Sequence, residues 1–407
     1  MTGITMDAAT KVHGMDGALV EHDWPPLTLA DLRTLLREFP AIGEPVEILS
    51  VSPRPFSAAG LVRTAQGNVF VKRHHRSVRD RDGLLEEHRF LAHLHAHRAP
   101  VPRVFASASG ETAIELGEWV CEVHEAGNGT DLYEDAFSWT PFRCAQHAYA
   151  AGCALARLHC ASDGFQEPRR KIQPLVASFT IFAASDPVRQ MERYLCARPA
   201  LAQHKPVHAC AERALALLAP FHSELAPLLD SLAPLWTHND LHASNLFWSS
   251  DSEGAQATAI IDFGLSDRTN AVHDLAHAIE RNIVEWLALT ANPERPDDVP
   301  VHMGHLSALL DGYESLRPLS PAEAAALAPM TALCHTEFAL SEADYFLSVL
   351  HAEDKAPMAY DGWLVGHARW FHTLAGMRLL DALRMRARSR ADLRIDSRTN
   401  SRGEEEP

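Results

Sequence analysis

A β-rich island at residues 235–264, LWTHNDLHASNLFWSSDSEGAQATAIIDFG, interrupts a long helical stretch and constrains the fold more than any other feature of the chain. His238-Asn239-Asp240 opens it, Asn245 follows five residues after the aspartate, and Asp262-Phe263-Gly264 closes it. NLFW, a turn around SSDSEG, and ATAIIDF read as a hairpin, which returns Asp262 to the side of Asn245 across seventeen residues of chain. Phosphoryl transfer needs this set. One carboxylate, Asp240, accepts the proton of an attacking hydroxyl, and oxygen ligands, Asn245 and Asp262, hold Mg²⁺ against phosphates. Gly264 is expected to let the backbone turn sharply after the metal ligand. With each residue type near 5% usage the pattern arises by chance in on the order of one chain in ten thousand, so an ordinary buried turn is a poor account of it.

Around the island the apolar spacing is helical, at 141–161, 186–200, 207–233, 273–290, 302–315, 321–350 and 358–386. Earlier in the chain the pattern alternates. VEILSV, GLVRT and VFVKRH read as three strands and TAIELGEWVCEVH as more, with helices expected from Thr28 to a stop at Pro40 and over Leu84–Arg98. The expected layout is α+β. A loose arm at 1–22 precedes a small antiparallel-sheet lobe at 23–124 and a larger, mostly helical lobe at 125–386. The charged tail at 387–407 is expected to be disordered.

Lysine is scarce: Lys11, Lys72, Lys171, Lys205 and Lys355 stand among 37 basic residues. Lys72 ends the apolar strand Val69-Phe70-Val71 and is the candidate phosphate cation. Kinase-type sites pair such a lysine with a glutamate on the next helix. At about 100° per residue Glu87 falls within the stripe of Leu84, Phe90, Leu91 and Leu94, whereas Glu86 points away, so Glu87 is the expected partner. His93 and His97 share a face of that helix, but two ligands without a third are too few for zinc.

These residues carry a resemblance. HNDLHASN with IIDFG resembles the aminoglycoside phosphotransferase and choline kinase-like superfamily, relatives of the eukaryotic protein kinases. EEHRFLAHLHAHRAPVPRVF is similar to that family's glutamate-bearing helix and the V-P-x-P-style break after it, and LLDGYESLRPLSPAEAAAL resembles the bacterial homoserine kinase type II branch. The resemblance spans about residues 25–385. It implies a bilobal protein kinase-like fold, ATP and Mg²⁺ as cofactors, and a small-molecule hydroxyl as acceptor. By position it implies Asp240 as catalytic base, Asn245 and Asp262 as metal ligands, Lys72 on the α/β-phosphates, and Glu87 orienting Lys72. It also implies that His238 supports the catalytic loop and that adenine meets the backbone of a link near Glu122 to Glu125, His124 included. No G-x-G-x-x-G loop exists, and PRPFSAAGLV offers Ser57, Ala58, Ala59 and Gly60 to cradle phosphates. TEFALSEADYFLSV stands in place of the R-F-W-L-S-R-L-like helix of homoserine kinases. Asp274 either caps the helix it begins or stands near the metal, and the cap is the expected role. His242 either meets substrate or packs.

Composition narrows the partners. A formal charge of 37 − 53 = −16 argues against nucleic acid held on a diffuse basic surface. No apolar run approaches the roughly twenty residues of a membrane span. The first residues carry no secretory pattern, and seven cysteines without a C-x-x-C pair read as reduced thiols of a cytoplasmic protein. Glu280, Glu285, Glu337, Glu342 and Asp344 are acidic residues on otherwise apolar helices. If several face the cleft, a cationic substrate follows, such as an amino alcohol or a hydroxy amino acid. Homoserine, hydroxylysine, choline or ethanolamine, sugars and aminoglycosides all fit the scaffold. A protein Ser/Thr kinase and a non-catalytic nucleotide-binding protein are the alternatives. The first has little platform for a polypeptide, because the chain re-enters a helix within ten residues of Gly264 and carries no A-P-E-like anchor. Oligomeric state is not legible.

Overall fold

The computed structural model describes residues 11–14, 17–252 and 254–402. Part of the arm expected to be loose is paired: β1 (Val12–His13) runs antiparallel to β2 (Leu19–Val20), while residues 1–10 lie outside the described residues. α1 (Leu29–Leu36) begins at Thr28, whose hydroxyl accepts from the Asp31 N–H while the Asp31 carboxylate accepts from the Thr28 N–H.

β3 (Pro45–Val51), β4 (Ala58–Thr64), β5 (Gly67–His75), β6 (Ile114–Leu116) and β7 (Trp119–Glu125) form one antiparallel sheet in the order β3-β4-β5-β7-β6. Side chains alternate between its faces. Val62, Val69, Val71 and Val123 cluster with Leu32, Leu35 and Leu36 of α1, which leaves Lys72 on the other face, in register with Glu122. α2 (Arg81–Ala96) turns Leu84, Glu87, Phe90, Leu91 and Leu94 inward, so that Glu87 is 3% exposed while Glu86 stays half-buried.

In the second lobe two short strand pairs sit among helices. β8 (Pro234–Thr237) pairs with β11 (Asp267–Asn270), and β9 (Leu246–Trp248) with β10 (Ala257–Ile260). Leu246 stands opposite Ile260, and the Ile261 N–H donates to the Asn245 carbonyl at 3.0 Å, which brings Asp262 back beside Asn245. The helices are α3 (Ala145–Ser162), α4 (Pro187–Cys196), α5 (Pro199–Gln203), α6 (Lys205–Leu225), α7 (Ala271–Ile283), α8 (Trp286–Ala291) and α9 (Met303–Leu316). α10 (Pro321–Leu333), α11 (His335–Asp344), α12 (Gly366–Trp370) and α13 (Leu374–Arg402) complete the lobe. Wider π-type turns at Tyr345–Val349 and Met358–Val365 interrupt runs that apolar spacing alone reads as continuous helix. The expected break at 387 does not occur. α13 runs on to Arg402 through a stretch rich in alanine, arginine and leucine that meets neither glycine nor proline before Gly403, and 403–407 lie outside the described residues. Among the described residues no helix is long and apolar enough to cross a membrane, and all seven cysteines are free.

One crossing of this lobe bears directly on the site. α3 and α9 meet backbone to backbone. A Cβ at Gly152 would stand 2.0 Å from the Leu309 carbonyl oxygen, and one at Gly312 2.0 Å from that of Tyr149. The approach sets Tyr313 of α9 against His159 of α3, with the phenol 2.7 Å from His159 Nδ1. Because backbone rather than flexible side chain fills the space, Gly312→Ala should lower stability by roughly 1–3 kcal/mol, the usual cost of overpacking. The expected reading is a lower urea midpoint at unchanged m-value.

Candidate active site

The two lobes enclose a cleft of about 650 Å³ whose walls include Lys72, Glu87, Asp240, His242, Asn245 and Asp262. Its floor is the loop after β8. Asn239 (φ 62) and Asp262 (φ 61) both adopt left-handed backbone, which Asn and Asp tolerate better than other non-glycine residues. The turn after β10 therefore falls on Asp262 itself, and the expectation that Gly264 supplies a special φ is corrected. A Cβ at Gly264 would lie 3.3 Å from Asp262 Oδ1 and crowd that carboxylate.

The loop is held from below. Asp274 does not cap α7. Asn270 does, its side chain accepting from the His273 N–H at 2.9 Å. Fully buried, Asp274 accepts the His238 N–H at 2.8 Å, the Asn239 N–H at 2.7 Å and His159 Nε2 at 2.9 Å. Burial alone would raise its carboxyl, but His159, His238 and these donors hold it below the usual range. His238 accepts the Asp240 N–H at Nδ1 (3.1 Å) and donates from Nε2 to the Ile261 carbonyl (2.9 Å), joining the loop to the strand that carries Asp262.

Asn245 Nδ2 donates to the Asp240 carbonyl oxygen at 2.9 Å and to its Oδ2 at 3.2 Å, which turns the amide oxygen of Asn245 away from Asp240. Asp240 Oδ1 accepts from Arg281 of α7. Burial lifts the Asp240 carboxyl to about 6, against the pull of Arg281 and His238. His242 lines the cleft 3.8 Å from Asp240 Oδ1 with its Nδ1 on Ser244 Oγ, and burial pushes its pKa far enough down to keep it neutral.

Lys72 Nζ lies 2.9 Å from Asp262 Oδ1. Desolvation would lower the ammonium, but Asp262, then Glu122 and Glu87, raise it. Reciprocally, Lys72 holds the Asp262 carboxyl well below the usual range although the depth of the cleft acts the other way. The expected Lys72–Glu87 pair is not formed. Arg170 enters between the lobes and takes both glutamates of α2, Glu86 at 3.5 Å and Glu87 at 3.8 Å, so Glu87 reaches Lys72 only through space. Arg170 and Arg79 both donate to the Gly264 carbonyl, at 3.1 and 2.7 Å, and so fasten α2 to the turn that carries Asp262.

Several expected contacts fall elsewhere. Ser57 lines the cleft, but Gly60 lies within β4, paired with Val71, where a Cβ would meet the Ser50 carbonyl oxygen at 2.6 Å. Its small size serves strand packing, not a phosphate cradle. The turn facing the cleft is Ser52–Ser57, from which Arg54 reaches Ser244 Oγ at 2.9 Å and the Ala136 carbonyl at 3.1 Å. Glu122 and His124 lie on β7, where both line the cleft, and Glu122 turns its side chain to three imidazoles. His88 and His124 approach its Oε2, each at 2.7 Å, and His74 its Oε1 at 3.1 Å. The lining continues from Glu125 through Ala126, Gly127 and Gly129. None of the five acidic residues on C-terminal helices lines the cleft. Glu337 accepts from the Ile181 N–H at 2.7 Å, Glu285 from His302 at 2.7 Å, and Asp344 stands 3.8 Å from Arg198. Glu280 faces His335 and His367, and Glu342 is fully buried. Besides the residues already named, the charged lining includes Arg54 and Arg281, with Asp131 and Glu134. Sequence reading missed both arginines. Arg281 had a signal, since it sits two turns after Asp274 on one face of an apolar helix. Arg54 had none.

A family model described as the phosphotransferase enzyme family matches residues 57–319, well over half the chain. Among curated proteins none matches the sequence. Solved structures share the fold. A microcompartment-associated aminopropanol kinase is 17% identical with a TM-score of 0.57, covering 86% of this chain and 100% of its own. The amicoumacin kinase hAmiN, in complex with AMP-PNP, Ca²⁺ and Ami, is 15% identical with a TM-score of 0.53, covering 83% and 93%. Spectinomycin phosphotransferase APH(9)-Ia, in complex with ADP and spectinomycin, is 12% identical with a TM-score of 0.50, covering 84% and 98%. None of the three is a homoserine kinase. With a sheet lobe, a helical lobe and the loop-and-hairpin site between them, the chain has a bilobal kinase-like fold and belongs to the phosphotransferase enzyme family.

Proposed function

We propose that this protein is an ATP- and Mg²⁺-dependent phosphotransferase that moves the γ-phosphoryl group to a hydroxyl of a small polar molecule. The observation that carries the reading is the meeting of Asp240, Asn245, Asp262 and Lys72 in one cleft, with Lys72 and Asp262 2.9 Å apart. Nucleotide use gains support from the AMP-PNP and ADP complexes among structures of this fold. Mg²⁺ suits the donors present, because the Asn245 amide oxygen and the Asp262 carboxylate are hard oxygen ligands. Bound there, the ion would neutralise charge on the phosphate oxygens.

The chain's own residues do the rest. Lys72 supplies a fixed positive charge for the phosphates, and Phe70, Phe247 and Ile261 give the cleft an apolar slot beside the link for a base. Asp240 orients the acceptor hydroxyl and takes its proton as the oxygen–phosphorus bond forms and the γ-phosphorus parts from the β-phosphate oxygen, leaving ADP. Its raised carboxyl suits a group that is ionised near neutrality yet still basic. The cleft lining brings together two arginines, Arg54 and Arg281, and two carboxylates, Asp131 and Glu134. We read this as a site for a molecule with an acidic and an amino group beside its hydroxyl, a hydroxy amino acid, ahead of a purely cationic amine.

ADP release with ATP and Mg²⁺ across hydroxy amino acids, amino alcohols, sugars and aminoglycosides tests the reading. Turnover is expected with a hydroxy amino acid and at least tenfold less with its decarboxylated amino alcohol. No acceptor-dependent ADP from any of them would overturn it. Asp240→Asn should lower kcat by about 10²- to 10⁴-fold and leave ATP affinity within a few-fold. Because Asp240 accepts the proton only when ionised, kcat/KM should fall as pH drops through about 6. Arg281 favours the ionised form, so Arg281→Gln should move this acid limb to higher pH in a pH–rate profile.

A further inference from the structure

Away from the cleft, three helices bring a carboxylate and two imidazoles to one point. Glu280 of α7, His335 of α11 and His367 of α12 are 1%, 3% and 2% exposed. Glu280 Oε1 lies 3.3 Å from His335 Nδ1 and 3.0 Å from His367 Nδ1, and one ligand atom from each residue lies within 4.8 Å of the others. At these separations a ring N–H donating to the carboxylate would be ordinary. Yet at these short separations neither Nδ1, nor either Glu280 oxygen, meets the geometry of a well-formed hydrogen bond. The sheet lobe supplies the contrast. There His88 and His124 point Nε2 at Glu122 Oε2, each at 2.7 Å, in well-formed hydrogen bonds. Two clusters of the same residue types are thus built differently.

We propose that Glu280, His335 and His367 bind a divalent transition-metal ion of the zinc class. Ligand atoms about 2.0–2.1 Å from a tetrahedral ion stand about 3.3 Å from one another, close to the two separations from Glu280. Two imidazoles and one carboxylate suit zinc, whereas the all-oxygen set of Asn245 and Asp262 suits magnesium, so the two sites select different ions. The fourth position falls to a water. Aromatic rings fix the imidazoles. Trp286 stacks on His367 with centroids 3.7 Å apart, and Trp139 meets His335 edge-on at 5.8 Å. A buried carboxylate without a hydrogen bond is costly, and an ion removes that cost while tying α7, α11 and α12 together. The tie lies beside the cleft, since Arg281 follows Glu280 and binds Asp240. The ion acts on the reaction only by holding Arg281 in position.

The test is elemental analysis of the untagged full chain after gel filtration, beside Glu280→Gln, His335→Ala and His367→Ala, with His124→Ala as control. About one zinc-class ion per chain, kept by the control and lost in the three variants, is the expected result. Metal retained in the three variants would overturn the proposal, since it would sit elsewhere. Should the variants prove insoluble, Co²⁺ added to chelator-treated wild-type chain decides. A tetrahedral visible spectrum with a raised melting temperature upholds the site, and a silent spectrum with an unchanged melting temperature overturns it.

Discussion

The site depends on one buried carboxylate. Asp274 accepts two consecutive backbone N–H groups, those of His238 and Asn239, and a third hydrogen from His159. Without it those amides would be orphaned in a dry interior, next to a residue already in left-handed backbone. The charge is supported in turn from the far side of the lobe. Arg317 donates to the Tyr313 phenol at 3.0 Å, the phenol meets His159 Nδ1 at 2.7 Å, and His159 Nε2 meets Asp274. Burial keeps the imidazole neutral, so one tautomer accepts from tyrosine and donates to aspartate. The close α3–α9 crossing at Gly152 and Gly312 serves this chain of contacts, because it sets the phenol within reach of the ring.

Around that anchor the cleft is an arrangement of opposed charges. Asp262 and Lys72 hold each other ionised, whereas Asp240, deeper and beside a single guanidinium, titrates near 6. Two carboxylates of the same type thus behave differently for a reason of position. Asp262 suits a permanently charged ligand, and Asp240 suits a group that gains and loses a proton.

Much of this was legible in residues 235–264, because the chemistry there is local. A hairpin of known length returns Asp262 to Asn245, and period two puts Lys72 on the face opposite Val71. Helical angle alone put Glu87 inside, and burial agrees, with Glu86 beside it only half-buried. What angle could not say is which cation Glu87 would meet. Arg170, 83 residues further on, takes it. Gly60 and Asp274 were misread for a related reason. Small residues and helix-initial aspartates have several uses, and the choice is made by what packs against them: the Ser50 carbonyl in one case, the catalytic-loop amides in the other.

The sequence by itself determined that Asp240, Asn245 and Asp262 would come together, that Lys72 would end an apolar strand, and the two-lobe order of strands and helices, since spacing along each chain segment dictates them. Only the tertiary structure decided which charges line the cleft, Arg54 and Arg281 among them and none of the glutamates of the last helices, and that Glu280, His335 and His367 converge. The physical reason is reach. Periodicity reports which side of its own element a residue faces, but contacts between residues 55 to 190 positions apart, such as Glu280 with His335 or Arg54 with Ser244, exist only once helices have packed.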